Sequence, residues 1–371
     1  MSLTGLTAAT SPTLIQALPE GPLDIVGDIH GEFDALCLLL AQLGYDADGH
    51  HAAGRMLVFV GDFCDRGPDS PAVLALVERL VRSGRALAVL GNHEINLLRD
   101  DPKDGAGWYF DVRLASDTPK YAPFARPTAL QREQIVAFLS TLPIALERPD
   151  LRVIHAAWIG PDVAAARAMP LAAMRIEYDA AEAVAAVTAG ALLPRMAAEL
   201  AAWGRNLEDP AVMPPFMQAH ADNEAIKQTK NPLKVLTSGV ERQAGAPFFA
   251  SGKWRFVERV RWWDSYADSV PVVVGHYWRR VSPSGVGKDP AGLGKDQADL
   301  FGGIGADRWL GRHGNVFCVD FSVGGRWAAR KAGRPPQLEF KLAALQWPER
   351  VLCFDDGTRL PTHGFMVDAV L

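Results

Sequence analysis

Cysteine is scarce in this chain, with four in 371 residues, and Cys37, Cys64, Cys318 and Cys353 stand far apart. That spacing excludes a zinc-type cysteine pairing and a disulfide framework, and it fits reduced thiols in a cytoplasmic protein. No apolar run approaches the length of a membrane span, so no membrane partner is expected. The N-terminus lacks the basic start and apolar stretch of a secretory signal. Basic charge is not in excess: the net charge is −5, and no electrostatic footprint for nucleic acid exists. Internal repeats are absent. The two Gly-x-Gly-Lys stretches, Gly285–Lys288 and Gly292–Lys295, lack the Ser/Thr and the preceding strand that a phosphate loop of the Walker type needs.

What the chain does have is three short motifs in order: Gly27-Asp28-Ile29-His30-Gly31, Gly61-Asp62-Phe63-Cys64-Asp65-Arg66-Gly67 and Gly91-Asn92-His93-Glu94. Each follows an apolar run that reads as a buried strand: 23–26, 56–60 and 87–90. Helices are expected around 32–43 and 72–83, which gives a βαβαβ order and a parallel sheet. The polar residues then fall at strand C-terminal ends, the edge where open α/β sheets bind ligands. Further strands are expected at 151–154, ending at His155, and at 270–274, ending at Gly275-His276. Strands near 315–321, 339–346 and 350–354 close the fold. Residues 1–20 read as a loosely attached arm and about 160–260 as an inserted, Ala-rich helical cap. The stretch 281–306, rich in Gly, Lys and Asp, reads as a mobile loop.

The residue types at those strand ends point to metal chemistry. A divalent ion takes carboxylate oxygen and imidazole nitrogen. Asp28 and His30 can reach one ion, Asp62 can bridge to a second, Asn92 offers an amide oxygen, and His155 and His276 can complete the second site. Two ions roughly 3.5–4 Å apart would clamp a phosphate and share a water that attacks phosphorus in line. Arg66 can hold phosphate oxygens through its planar fork. His93 is placed to protonate the leaving oxygen, with Asp65 orienting it. Simpler roles exist for single members, such as a helix cap for Asp28 or a turn residue for Asn92. They would have to arise independently at successive strand ends. His50, His51, His220, His313 and His363 lack that context and read as surface or structural residues. Cys64 reads as packing.

These motifs resemble the calcineurin-like metallophosphoesterase superfamily, most closely its phosphoprotein phosphatase branch, over residues 22–96 and again at His155 and His276. The resemblance implies an αββα sandwich. It also implies Asp28, His30 and Asp62 on a first metal, Asp62, Asn92, His155 and His276 on a second, and catalytic roles for Asp65, Arg66 and His93. Mn2+ is the first expectation for both ions, with Fe, Zn or Ni as alternates. Two details separate this chain from its look-alikes. Trp278 stands where many superfamily members carry a further histidine ligand, as expected for the phosphatase branch. His155 is followed by Ala-Ala rather than glycine. The branch uses a second phosphate-binding arginine, for which Arg242, Arg255 and Arg279 are candidates.

The expected activity is hydrolysis of phosphomonoesters, with phosphoserine or phosphothreonine in a protein as substrate, by attack of a metal-bridging hydroxide. The closing strands are also similar to those of bacterial diadenosine tetraphosphate hydrolases, so a dinucleoside polyphosphate is the alternative substrate. Clustered Trp and Arg (254–256, 261–263, 277–280, 308–309, 326–327) either form a nucleotide pocket or, more simply, pack between cap and sheet. A non-catalytic metal-binding scaffold is a third reading, which leaves His93, Asp65 and Arg66 without a purpose. Oligomeric state is open.

Overall fold

A computed structural model describes residues 11–250, 252–281 and 300–366. Its strands are β1 (Ile15–Ala17), β2 (Leu23–Val26), β3 (Met56–Phe59), β4 (Ala86–Ala88), β5 (Ala145–Arg148), β6 (Leu151–Ile154), β7 (Glu241–Ala250), β8 (Lys253–Arg259), β9 (Val272–Val274), β10 (Val316–Cys318), β11 (Ala343–Trp347), β12 (Val351–Phe354) and β13 (Arg359–Pro361). Its helices are α1 (Phe33–Leu43), α2 (Ser70–Arg82), α3 (Asn92–Leu98), α4 (Asp111–Tyr121), α5 (Ala129–Leu139), α6 (Gly160–Arg167), α7 (Met174–Gly190), α8 (Leu193–Trp203), α9 (Gln218–Thr229), α10 (Pro232–Ser238) and α11 (Arg326–Lys331).

Two sheets form, in the orders β13-β12-β11-β2-β3-β4 and β1-β5-β6-β9-β10, with β7-β8 as a separate hairpin. Alternation decides how they stack. Leu23, Ile25, Val58 and Val60 from the first sheet meet Leu151, Val153, Val273 and Phe317 from the second in one buried cluster. The opposite faces carry helices. α1 buries Leu36, Leu39, Leu40 and Leu43 and ends on Gly44 in a left-handed cap (φ 93°). α2 starts on Asp69, whose side chain accepts from the Ala72 N–H, with proline in the first turn. This is the expected αββα sandwich.

Register sets the site. β2, β3 and β4 are parallel, Val26 lies beside Phe59 and Phe59 beside Ala88, so the three motif loops leave the sheet at one level. In the other sheet β6 and β9 are parallel neighbours, and the Gly275 N–H donates to the His155 carbonyl just past them. Both sets of loops open at the same end of the sandwich.

Two expectations change. Of the arm expected over 1–20, residues 1–10 lie outside the described residues, but Leu14 is buried and β1 pairs in parallel with β5 as the sheet's edge strand. The inserted segment between β6 and β9 is helical only as far as α10; its last part is the β7–β8 hairpin. Most of the expected 281–306 loop, and both Gly-x-Gly-Lys stretches, lie outside the described residues. Among the described residues no single helix is long and apolar enough to cross a membrane.

Candidate metal centre

Backbone strain marks where this fold is held against its preferences. Nine described non-glycine residues have positive φ, and His30, Asp62, Asp65, Arg66, His276, Trp278 and Ser322 are seven of them. Such conformations persist only when their surroundings over-determine them, and here they gather in the loops that follow strands of both sheets. Close approach also demands missing side chains. A Cβ on Gly91 would collide with the Asp62 carboxylate, and one on Gly275 with that of Asp28.

Asp62 is the centre. Its Oδ2 lies 3.8 Å from His30 Nε2, 3.8 Å from His93 Nε2 and 3.3 Å from His155 Nε2. Its loop is clamped by Glu94, whose carboxylate accepts from the N–H groups of Asp62 and Phe63 at 2.8 Å and of Gly91 at 3.0 Å. Asp28 Oδ2 lies 3.9 Å from His30 Nε2, and the Asp28 carboxylate accepts from the His276 N–H. Each imidazole is oriented by its other nitrogen or by its neighbour. His155 Nδ1 donates to the Val60 carbonyl at 2.8 Å, and His30 Nδ1 to that of Cys64 at 3.0 Å. His93 Nδ1 meets Asp65 Oδ2 at 2.5 Å. The Ala156-Ala157 pair that replaces glycine donates both N–H groups to the Leu236 carbonyl at 3.2 Å, so α10 of the insertion fixes the turn after His155.

Three buried atoms at this point have no hydrogen-bond partner: Asn92 Oδ1, His155 Nε2 and His276 Nε2. Buried polar atoms without a hydrogen-bond partner are costly, about 1–3 kcal/mol each. Ligand atoms of Asp62, His155 and His276 lie within 4.8 Å of one another, and so do those of His30, Asp62 and His93. The donor set is mixed oxygen and nitrogen, which suits divalent cations. The structure thus brings His30, Asp62, His155 and His276 of the expected ligand set to one centre, with Asp28 beside His30 and the unpartnered Asn92 Oδ1 at the same point, while His93, expected to act as an acid, stands in one of the two groups.

The electrostatics agree. Burial alone would raise the Asp62 carboxyl, but the imidazoles of His155, His93 and His30 outweigh it and hold it well below the usual carboxylate range. Burial, with Asp320 and Asp62 nearby, pushes Asp28 well above that range. Burial opposes protonation of His155, yet Asp62 and Asp28 carry it up to about 10. Burial and the neighbouring Arg66 hold His30 neutral; burial and Arg259 do the same for His276. Asp28, Asp62 and Asp320 are buried close together, and positive charge beside them is favourable. Arg66 supplies part of it. It donates to His30 Nε2 at 2.9 Å, and its guanidinium lies 4.9 Å from the Trp278 ring centroid.

Several neighbours escaped the sequence reading. Asp320 follows β10, is buried, and accepts from the N–H groups of Trp278 and Ser322 at 2.7 Å. The strand-end rule that found His276 would have found it. Trp108 Nε1 donates to Asp65 Oδ1 at 2.5 Å. None of the three candidate second arginines reaches the centre. Arg279 is fully buried, donates to the carbonyls of Cys318, Gly305 and Arg308, and is structural. Arg242 pairs with Glu258 on the exposed hairpin, and Arg255 reaches Glu224. Arg259 is the one whose charge acts on His276. Of the clustered tryptophans, Trp254, Trp262, Trp263, Trp309 and Trp327 are buried packing residues. Cys64 is buried as expected.

Residues 21–154 match the family model of the calcineurin-like phosphoesterases. Over 79 residues the chain is 46% identical to an asymmetrical bis(5'-nucleosyl)-tetraphosphatase of Halalkalibacterium halodurans, covering 20% of this chain and 32% of that protein. Over 133 residues it is 32% identical to a symmetrical bis(5'-nucleosyl)-tetraphosphatase of Vibrio campbellii, covering 36% of this chain and 43% of that one. The chain thus spans less than half the length of these curated relatives. A cold-active protein-tyrosine phosphatase of a psychrophilic Shewanella species aligns over 94% of this chain and 83% of its own at 17% identity, with a TM-score of 0.46.

Proposed function

Starting from a chain that carries a calcineurin-like phosphoesterase domain over residues 21–154, we propose that it is a two-metal phosphoesterase acting on phosphomonoesters. The observation that carries this reading is the convergence of three buried, unpartnered ligand atoms, on Asn92, His155 and His276, beside an ionised Asp62. On this reading Asp28, His30 and Asp62 hold one divalent ion and Asp62, Asn92, His155 and His276 the other, with Mn2+ the first choice. Bound there, the ions supply Lewis acidity and make a potent nucleophile from water at neutral pH.

The chain's own residues do the rest. Arg66, braced on Trp278, holds phosphate oxygens through its fork. His93 keeps Nδ1 tied to Asp65 and presents Nε2 to the centre, where it gives its proton to the leaving oxygen. Burial opposes a protonated His93, but Asp62 and Asp65 raise its pKa above the ordinary value, so the acid form is available at neutral pH. Asp65, gripped by the Trp108 N–H, fixes the ring plane.

Phosphoserine or phosphothreonine in a protein is one substrate class for such a site. Cleavage of a phosphoanhydride in a dinucleoside polyphosphate is the second, favoured by the names of the relatives matched over the motif region. Phosphate release by the Mn2+-loaded protein from a phosphothreonine peptide and from diadenosine tetraphosphate, compared as kcat/KM, separates them. Absence of release from both would overturn the phosphoesterase reading.

A further inference from the structure

The insertion carries an apolar face that no other described part of the chain covers. Helices α7 and α8 both pack on α9, and α7 turns Met174, Tyr178, Ala185 and Ala189 inward. Its opposite face is open. Ile176, Ala180, Ala183 and Val187 line it, with Ile176 71% and Val187 79% exposed. Four of the twelve exposed large apolar side chains among the described residues fall between Ile176 and Leu193. α8 adds Pro194, Ala198 and Ala201, all exposed. Apolar surface gathered in this way marks an interaction site, whereas single exposed side chains do not.

The spacing of that face says what it pairs with. Positions 176, 180, 183, 187 and 190 follow one another at alternating steps of four and three, the seam of a helix that packs along a second helix. Laid antiparallel on its own copy about Ala183, the seam is self-complementary in size. Ile176 falls opposite Gly190, Ala180 opposite Val187, and Ala183 opposite itself. Gly190 has no other explanation. It closes α7 without a positive φ, and a Cβ there would meet nothing within 4 Å. A helical glycine costs about 0.5–1 kcal/mol relative to alanine, and nothing within the chain asks for it. An isoleucine from a second copy does.

Charge narrows the occupant further. From Ile176 to Trp203 the one cation is Arg195, against four acids. Three of the acids are spent within the chain: Asp179 on Arg99, Glu182 on Lys234 and Glu199 on His220. Helices that lie on an anionic lipid surface are rich in Lys and Arg, so this face is not built for one. Antiparallel pairing instead carries each exposed Glu177 toward the end of the seam where the partner's Arg195 stands. The 17 residues of α7 and 11 of α8 give roughly 40 Å of helix. A face of that length and about one helix diameter wide buries roughly 800–1000 Å² over two copies, the low end for a specific interface. We infer that the chain forms a symmetric, reversible dimer through α7 and α8, with a Kd on the order of 10 µM.

Sedimentation velocity of the full Mn2+-loaded chain from about 1 to 200 µM tests this. The parent should move from one chain mass to twice that mass as concentration rises. Val187→Glu sets a charge against Ala180 of the partner subunit, and Gly190→Leu fills the space that Ile176 of the partner subunit needs. Both new side chains meet open space in a single copy, so each variant should keep the parent's Tm and its phosphate release from p-nitrophenyl phosphate. Each should weaken self-association about tenfold or more. If one variant fails to fold, the other decides. A parent that stays at one chain mass throughout that range overturns the inference, and so does a dimer that a folded variant retains undiminished. Flotation of a monomeric parent with phosphatidylcholine/phosphatidylserine vesicles would also overturn it, with a lipid surface as the occupant instead.

Discussion

The Asp65 carboxylate meets His93 Nδ1 at 2.5 Å through one oxygen and holds the Trp108 indole N–H at 2.5 Å through the other. All three groups are buried. The imidazole is thereby fixed with Nε2 toward Asp62, 3.8 Å away, the orientation on which the proposed role of His93 as proton donor rests.

His93→Ala should therefore leave metal content intact and lower turnover of phosphoesters by about 100-fold or more. Asp65→Asn keeps the shape but removes the charge, and a loss of about 10- to 100-fold is expected. Steady-state kinetics with metal analysis on the same samples checks both. Full activity in His93→Ala would remove this residue from the mechanism.

Glu94 works on the backbone. It satisfies three buried N–H groups in the loops that carry Asp62 and Asn92. Glu94→Ala would strand those donors at about 1–3 kcal/mol each, so a loss of at least about 3 kcal/mol is expected. Urea unfolding reads it directly, and a midpoint equal to the parent's would contradict the role.

Trp278 supports Arg66 rather than the substrate. Its ring lies under the guanidinium, and its backbone N–H donates to the Asp320 carboxylate. Losing a cation–π contact of about 1 kcal/mol should raise KM about fivefold with a smaller change in kcat. Trp278→Phe should recover most of the effect, since an aromatic face returns. An equal fall in kcat for both variants would point to disruption of the centre instead.

Metal removal should also be visible as stability. The unpartnered Asn92 Oδ1 and His276 Nε2 and the crowded Asp28, Asp62 and Asp320 carboxylates favour a cation-loaded fold. At a free ion concentration a hundredfold above Kd, binding adds about 2.7 kcal/mol. Chelation should lower Tm and added Mn2+ restore it; a Tm indifferent to both would argue against the site.

Much of this was readable in the sequence because the centre is built on strand ends. Apolar runs at 23–26, 56–60 and 151–154 are unambiguous, and polar residues directly after them share one edge of a parallel sheet. Elements without such a signature were misread. β1 is three residues in a Pro- and Thr-containing stretch, and only its pairing with β5 makes it part of the sheet. The β7–β8 hairpin follows a long Ala-rich helical segment, so Arg259 was lost within a region read as a helical cap. Arg279 sits three residues from His276 in sequence, yet its guanidinium is spent on three carbonyls. Nothing in the local pattern distinguishes those two arginines; only tertiary packing does.

Metal stoichiometry of the parent protein and of Asp62→Asn, after reconstitution with Mn2+ and removal of free ion, tests the central claim most directly. Two ions per chain in the parent, with both sites depleted and phosphate release abolished in the variant, is the predicted result for a carboxylate shared between them. Two ions retained by Asp62→Asn would contradict it.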